Sequence, residues 1–194
     1  MGLRSGAALL LCWFAPALAV TVAPVDFSGL VAKAEFIFTG KAVSSRSEWN
    51  GQGNERCIVT FVTFEVQGAH KGTPPSRLEL RFLGGAMGDT SLEVAGMPKF
   101  QAGERAILFV EKDRTLFCPL VGVYHGKLTI ERDSATGQDI LLRHNRRPLT
   151  DVREMGADDE PAIRAAGAQG FVGRPLTVAE FVGHIQRELK ASGR

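Results

Sequence analysis

Residues 58–66 read IVTFVTFEV, and this run narrows the folds open to the chain more than any other. Ile58, Val62, Phe64 and Val66 share one parity, while Val59 and Phe61 share the other with Cys57. Successive strand side chains point to opposite faces, so a strand apolar on both parities is central and covered on both sides. Around it lie further strand-like runs. The segment 34–43 (AEFIFTGKAV) is rich in β-formers, and 77–82 (RLELRF) alternates with Leu78, Leu80 and Phe82 inward. The runs 105–110 and 116–124 extend the set, and 127–130 with 139–142 reads as a hairpin turning at 133–137. Gly-, Pro- and Asn-rich turns separate them at 49–54, 71–75, 84–85, 96–98 and 102–104. Many short strands between such turns predict a mainly β fold, a barrel or a sandwich. With no fixed-period repeat, propellers and solenoids are excluded.

The chain's 194 residues allow one domain with appendages rather than two full domains. Lys+Arg 23 against Asp+Glu 21 gives a formal charge of only +2, which removes the electrostatic case for a dedicated nucleic-acid binder. The N-terminus has the three parts of a secretory signal: Arg4, an apolar core at 7–14, and Ala17, Leu18 and Ala19 as a small-x-small cleavage pattern. This predicts export to the periplasm or beyond the cell, with a mature start near Val20. The apolar core falls short of the roughly 20 residues a membrane helix requires, and no later run replaces it. After signal removal two cysteines remain, Cys57 and Cys118. In an oxidising compartment they are expected to form one disulfide. Closing a loop of about 60 residues would contribute roughly 4 kcal/mol by loss of unfolded-chain entropy.

Past His144 the character changes. The segment 146–173 is polar and aperiodic and reads as a loose linker. A well-marked helix follows. Thr177 and Glu180 have the spacing of a capping box, and Leu176 with Phe181 that of a hydrophobic staple. Val178, Phe181, Val182, Ile185 and Leu189 form one apolar stripe that should pack on the β domain. The organisation expected is a signal at 1–19, a β domain at 20–145, a linker at 146–173, and a packed helix within 174–194.

No enzyme signature is present. His70, His125, His144 and His184 lack helical zinc spacing, Cys-x-x-Cys is absent, and so is Gly-x-Ser-x-Gly. The run 84–89 (GGAMGD) resembles a phosphate loop but lacks the Gly-Lys-Ser/Thr ending, so its glycines are read as loop glycines. No catalytic residue, metal ligand or cofactor is assigned.

The run 34–43, then Thr63, Phe64, Glu65 and Val66, Lys71 and Gly72, Leu78, Glu79 and Leu80, and the stretch 103–110 (GERAILFV) together resemble the netrin-like modules, which include the tissue inhibitors of metalloproteinases. The resemblance covers roughly 30–130 and implies an OB-like antiparallel barrel with added strands. The pattern of Gly84 and Gly85, the run 96–100 (GMPKF), Gly103 and Glu104, then Leu108, Phe109 and Val110 is similar to that of uncharacterised secreted bacterial proteins. So are 122–127 (GVYHGK) and the C-terminal helix. Metalloproteinase inhibitors chelate zinc through an N-terminal cysteine, and the mature chain here has no cysteine before Cys57.

The expected fold is thus mainly β, an OB-like antiparallel barrel with one C-terminal amphipathic helix. The expected function is that of an exported, non-catalytic binding or accessory module whose partner is another exported or cell-surface protein. Two alternatives stand beside it: an inhibitor-like module working through a loop, and a hydrolase or metalloprotein whose site joins separated residues such as His70 and His125. OB-like barrels bind through one sheet face and its flanking loops. Trp49, in the 45–56 connection, and Met97 and Phe100, in the 84–103 connection, are therefore the candidate binding residues. The same apolar side chains could instead plug the barrel end, since exposure forfeits roughly 1.5–3 kcal/mol for each.

Overall fold

A computed structural model describes residues 25–53, 56–112, 117–156 and 173–193. The export segment expected at 1–19 lies outside the described residues. A short helix α1 (Phe27–Lys33) leads into eight strands. These are β1 (Ala34–Asn50), β2 (Cys57–Lys71), β3 (Arg77–Leu83), β4 (Gly85–Met87), β5 (Thr90–Leu92), β6 (Arg105–Glu111), β7 (Lys127–Arg132) and β8 (Asp139–Leu142). A 3₁₀ turn (Val123–Gly126) precedes β7, another (Val152–Glu154) follows β8, and helix α2 (Val178–Ala191) closes the chain.

Six strands form one antiparallel sheet in the order β3-β2-β1-β6-β7-β8, and β4 and β5 form a separate small hairpin. The two-sided run places β2 between β3 and β1, an interior position. Three register shifts between Ile37 and Ser44 interrupt β1 against β2. Such bulges bend and twist a strand, and β1 here serves two partners in turn. Its first half pairs with both β2 and β6, and its second half with β2.

The sheet separates two apolar layers. The inner one gathers Phe38, Val62, Phe64, Leu80, Phe82 and Leu108 with Cys118 and Leu120. The outer one joins Ile37, Ile107, Phe109 and Leu141 to α1 and α2 through Leu30, Phe181 and Ile185. Alternation along β6 explains the division: Ile107 and Phe109 face the helices while Ala106, Leu108 and Val110 face inward. Beyond β6 the expected strand at 116–124 is largely irregular where described, with Leu120 bridging Val110 and Val121 N donating to Phe109 O at 2.9 Å.

Helix α1 escaped the sequence reading. Asp26 caps it by accepting from Gly29 N at 2.8 Å, and Phe27, Leu30 and Val31 are its buried side chains. Part of the span read as loose is packed, since Leu149 is fully buried and Met155 nearly so. Leu149 N donates to Leu141 O, and Leu176 N donates to Leu149 O. Two isolated apolar anchors suffice to dock a stretch with no period. The remainder, 157–172, lies outside the described residues.

Helix α2 begins as expected. Thr177 Oγ1 accepts from Glu180 N at 3.3 Å, while Thr177 N donates to Glu180 Oε2 at 3.0 Å. Arg174 beside Glu180 holds that carboxyl down to about 2, with the Thr177 backbone and hydroxyl assisting. Replacing Thr177 by Ala should destabilise the protein by about 1 kcal/mol, measurable in urea titrations. The depressed Glu180 pKa means that its stabilising share is complete above the ordinary carboxylate value and is lost as pH falls from about 4.5 toward 2. Thr177→Ala should therefore narrow the acid dependence of unfolding over that window.

Candidate functional site

A cleft of about 930 Å³ opens between the 96–105 loop and the segments around β7 and the 143–146 turn. Its near wall is anchored to the sheet, where Gly103 N donates to Ala42 O at 2.7 Å and Ala42 N donates to Glu104 O at 2.9 Å. The loop also lies tight against Tyr124. Gly96 has φ +76, a left-handed conformation that favours glycine, and a Cβ there would stand a tight 3.2 Å from the Tyr124 ring.

Phe100 turns from this loop into the inner core. Its ring meets Phe64 edge-on at 4.9 Å and lies 5.2 Å from Phe82. Met97 packs on the same layer, half-buried. Above the other face of Phe100 stands Lys127 Nζ, 4.2 Å from the ring centroid. That ammonium is 2.7 Å from Glu104 Oε1 and donates to Lys99 O. Glu104 also accepts from Gln101 N at 3.0 Å and Thr129 Oγ1 at 3.2 Å. Burial pulls the Lys127 pKa below its ordinary value, with Glu104 opposing the shift. Loop, strand and ion pair thus form one fixed wall.

The far wall holds Tyr124 and His144, with the Tyr124 ring 4.3 Å from the His144 imidazole and 4.3 Å from that of His125, which is buried and does not line the cleft. Their backbone is strained, because Val123 has φ +57 directly after Gly122 at φ +63. A β-branched residue in the left-handed region is rare and carries about 1–3 kcal/mol of strain, which surrounding structure must hold in place. Arg146, at φ +66, reaches Glu131 at 2.6 Å across the rim. Arg105 pairs with Asp139 at 2.8 Å, and the nearly buried Arg143 with Glu154 at 3.5 Å. Lys99, Arg105, Lys127, Arg143 and Arg146 line the cleft against Glu104 and Glu131, a basic excess on a nearly neutral chain.

Sequence reasoning missed this wall, because its side chains come from segments far apart in the chain. The run 122–127 carried the one visible signal. Of the expected binding residues, Met97 lines the cleft and Phe100 lies beneath it. Trp49 stands elsewhere, on β1 opposite Ile58, 37% exposed with the Arg56 guanidinium 4.2 Å over its ring. Cys57 and Cys118 stand as separate thiols, the first half-buried and the second buried, where desolvation pushes its pKa up to about 11. His70 accepts or donates a 2.8 Å bond with Thr39 Oγ1, and burial lowers its pKa. His125 is instead buried, its ring packed against those of Tyr124 and His144. Among the described residues no three His, Cys, Asp or Glu side chains converge as a metal-holding group. Nor is any helix among them long and apolar enough to cross a membrane.

Paired melting curves should separate the two kinds of aromatic. Phe100→Ala should lower stability by about 3 kcal/mol by opening the end of the inner core, whereas Trp49→Ala should change it by under about 0.5 kcal/mol. Equal losses in both would show that Trp49 also carries packing.

Against known proteins the chain has no match to a family model, to a curated protein or to a solved structure.

Proposed function

We propose that this chain is an exported, non-catalytic binding module on a netrin-like, OB-like barrel, and that it takes another exported or cell-surface protein through the cleft beside the 96–105 loop. Two backbone links support the barrel. Leu83 N, on β3, donates to Phe117 O at 2.9 Å, and Val110, on β6, bridges Leu120. The segment 117–121 thus touches both β3 and β6, the strands flanking β2 and β1, as closure of a five-stranded barrel requires. The inner apolar layer is the filling such a barrel needs.

The observation that carries the binding reading is the cleft itself. Apolar pockets suit small molecules; this one is broad and lined with guanidinium, ammonium, carboxylate and aromatic groups. Two of its side chains capable of acid–base work, Lys127 and Glu104, are tied to each other and to the loop backbone. That arrangement presents a fixed polar surface to a polypeptide. Oxidation of Cys57 and Cys118 to a disulfide belongs with the export reading.

The test has two arms. N-terminal sequencing and thiol counting on naturally exported protein should find a start near Val20 and no alkylatable cysteine. An intact Met1 would sink export, and two reactive thiols would sink the disulfide. A photo-crosslinking residue at Gln101, inside the cleft, should then trap one discrete protein that the same group at Lys190 does not. Identical adducts from both positions would reject the cleft as the binding surface.

A further inference from the structure

Among the described residues, the second half of β1 is a sheet edge. From Ser44 opposite Thr63 to Asn50 opposite Cys57 it pairs with β2 without interruption. Strand β6 leaves β1 at Lys41 opposite Arg105, and among the described residues no strand lies along the other side of 44–50. Every residue of 44–50 is exposed except the half-buried Ser47. An edge of this kind displays a row of backbone donors and acceptors, which proteins usually protect with proline, bulges or charged side chains. The run SSRSEWN has no proline, and its register shows no bulge. Its two charges are opposite.

Those charges are also arranged symmetrically about Ser47. With a second copy reversed alongside, Ser47 meets Ser47, Arg46 meets Glu48, Ser45 meets Trp49, and Ser44 meets Asn50. We infer that this edge pairs antiparallel with the same edge of a second copy, about a two-fold axis at Ser47, so that one sheet runs through both chains. Such an interface is self-complementary, as closed dimers require.

Directly opposed residues of an antiparallel pair share a face, so the register creates two Arg46–Glu48 contacts. Their face is open. Gly85 of the β4–β5 hairpin packs against Ser47 and Thr60 on the opposite side, whereas Arg46 lies over Phe61 and pairs with Glu79. A guanidinium has five donors, and Arg46 gives two nitrogens to Glu79, so a second carboxylate finds donors left. An unrelated extended segment would satisfy the backbone equally well. It would have no reason to match Arg46 and Glu48 in this order, and the charge pattern therefore selects a second copy.

Sedimentation velocity over a concentration series on the full chain should show a reversible monomer–dimer equilibrium. Arg46→Glu and Glu48→Arg each place like charges opposite each other twice and should weaken the dimer at least about tenfold. Mixed in equal amounts they should form a heterodimer within about threefold of native affinity, because each Glu then faces an Arg. The doubly exchanged chain should recover likewise. A misfolded variant cannot give this rescue. As a variant that leaves both charges in place, Ser47→Cys should form a covalent dimer on mild oxidation well in excess of the native chain. A monomer at all concentrations, a dimer indifferent to both charge reversals, or failure of both the mixture and the Ser47→Cys dimer would overturn the inference. So would pairing of the native edge with a different protein in preference to itself.

Discussion

Replacing Phe64 by Ala is expected to cost about 3–5 kcal/mol, the largest loss available from one substitution on β2. The side chain is fully buried, so truncation removes transfer energy and leaves a cavity besides. Its surroundings cannot collapse easily. The Phe38 ring stands edge-on at 6.3 Å and the Phe100 ring at 4.9 Å, and both are fixed by strand and loop rather than free to follow. Each such aromatic contact adds about 0.5–1.5 kcal/mol beyond the area buried. In a chain of this length every kcal/mol lowers the melting temperature by roughly 2–4 °C. Urea midpoints give the free energy directly, and Phe117→Ala, at a residue 47% exposed, is the control expected to shift it by under about 0.5 kcal/mol. A loss at Phe64 below about 1 kcal/mol would mean that the inner layer is not a packed core. The variant should also loosen the cleft, because Phe100 rests on Phe64 and supports Lys127 from below.

How much of this was legible follows from where the determining forces act. Strand β2 was legible because its two apolar parities are a local record of two covered faces, and Val62 and Val59 are both buried. Helix α2 was legible because a cap, a staple and a stripe lie within a few residues of one another. The second half of β1 was not. Its run of serines and charges has no strand pattern of its own, and it is extended because β2 hydrogen-bonds to it residue by residue. Helix α1 is only seven residues long, too short for a period to emerge, and Asp26 was its one local signal. At the cleft, sequence could name Met97 and Phe100 as apolar residues out of place in a glycine-rich loop. It could not say which way they turn, since that depends on the space left by Phe64 and Phe82 across the sheet. Tyr124, Arg143 and Arg146 are ordinary polar residues until the fold brings them together.

Phe181→Ala tests the other layer and should be as damaging, about 3–5 kcal/mol, but with a different signature. Phe181 is fully buried, with Phe27 of α1 edge-on at 5.7 Å and Phe109 of β6 at 6.3 Å. It is therefore the side chain through which α2 holds both α1 and the sheet. Helix α2 has a complete cap, yet an isolated helix of 14 residues is marginal in water; without its anchor it should leave the sheet before the sheet unfolds. Hydrogen exchange distinguishes this from uniform weakening. In the variant, α2 amides should exchange through a local opening while β2 and β6 amides remain protected, whereas Phe64→Ala should lower protection in the strands. The consequence reaches the cleft, because Leu141 N donates to Leu176 O and Leu176 N to Leu149 O just before α2. These bonds fasten the stretch that flanks Arg143 and Arg146 on both sides. Partner crosslinking from Gln101 should consequently decline in Phe181→Ala at temperatures where the strands are still protected. Loss of protection in strands and helix at the same denaturant concentration would instead show that the two layers unfold as one unit, with no separate role for α2 in holding the cleft wall.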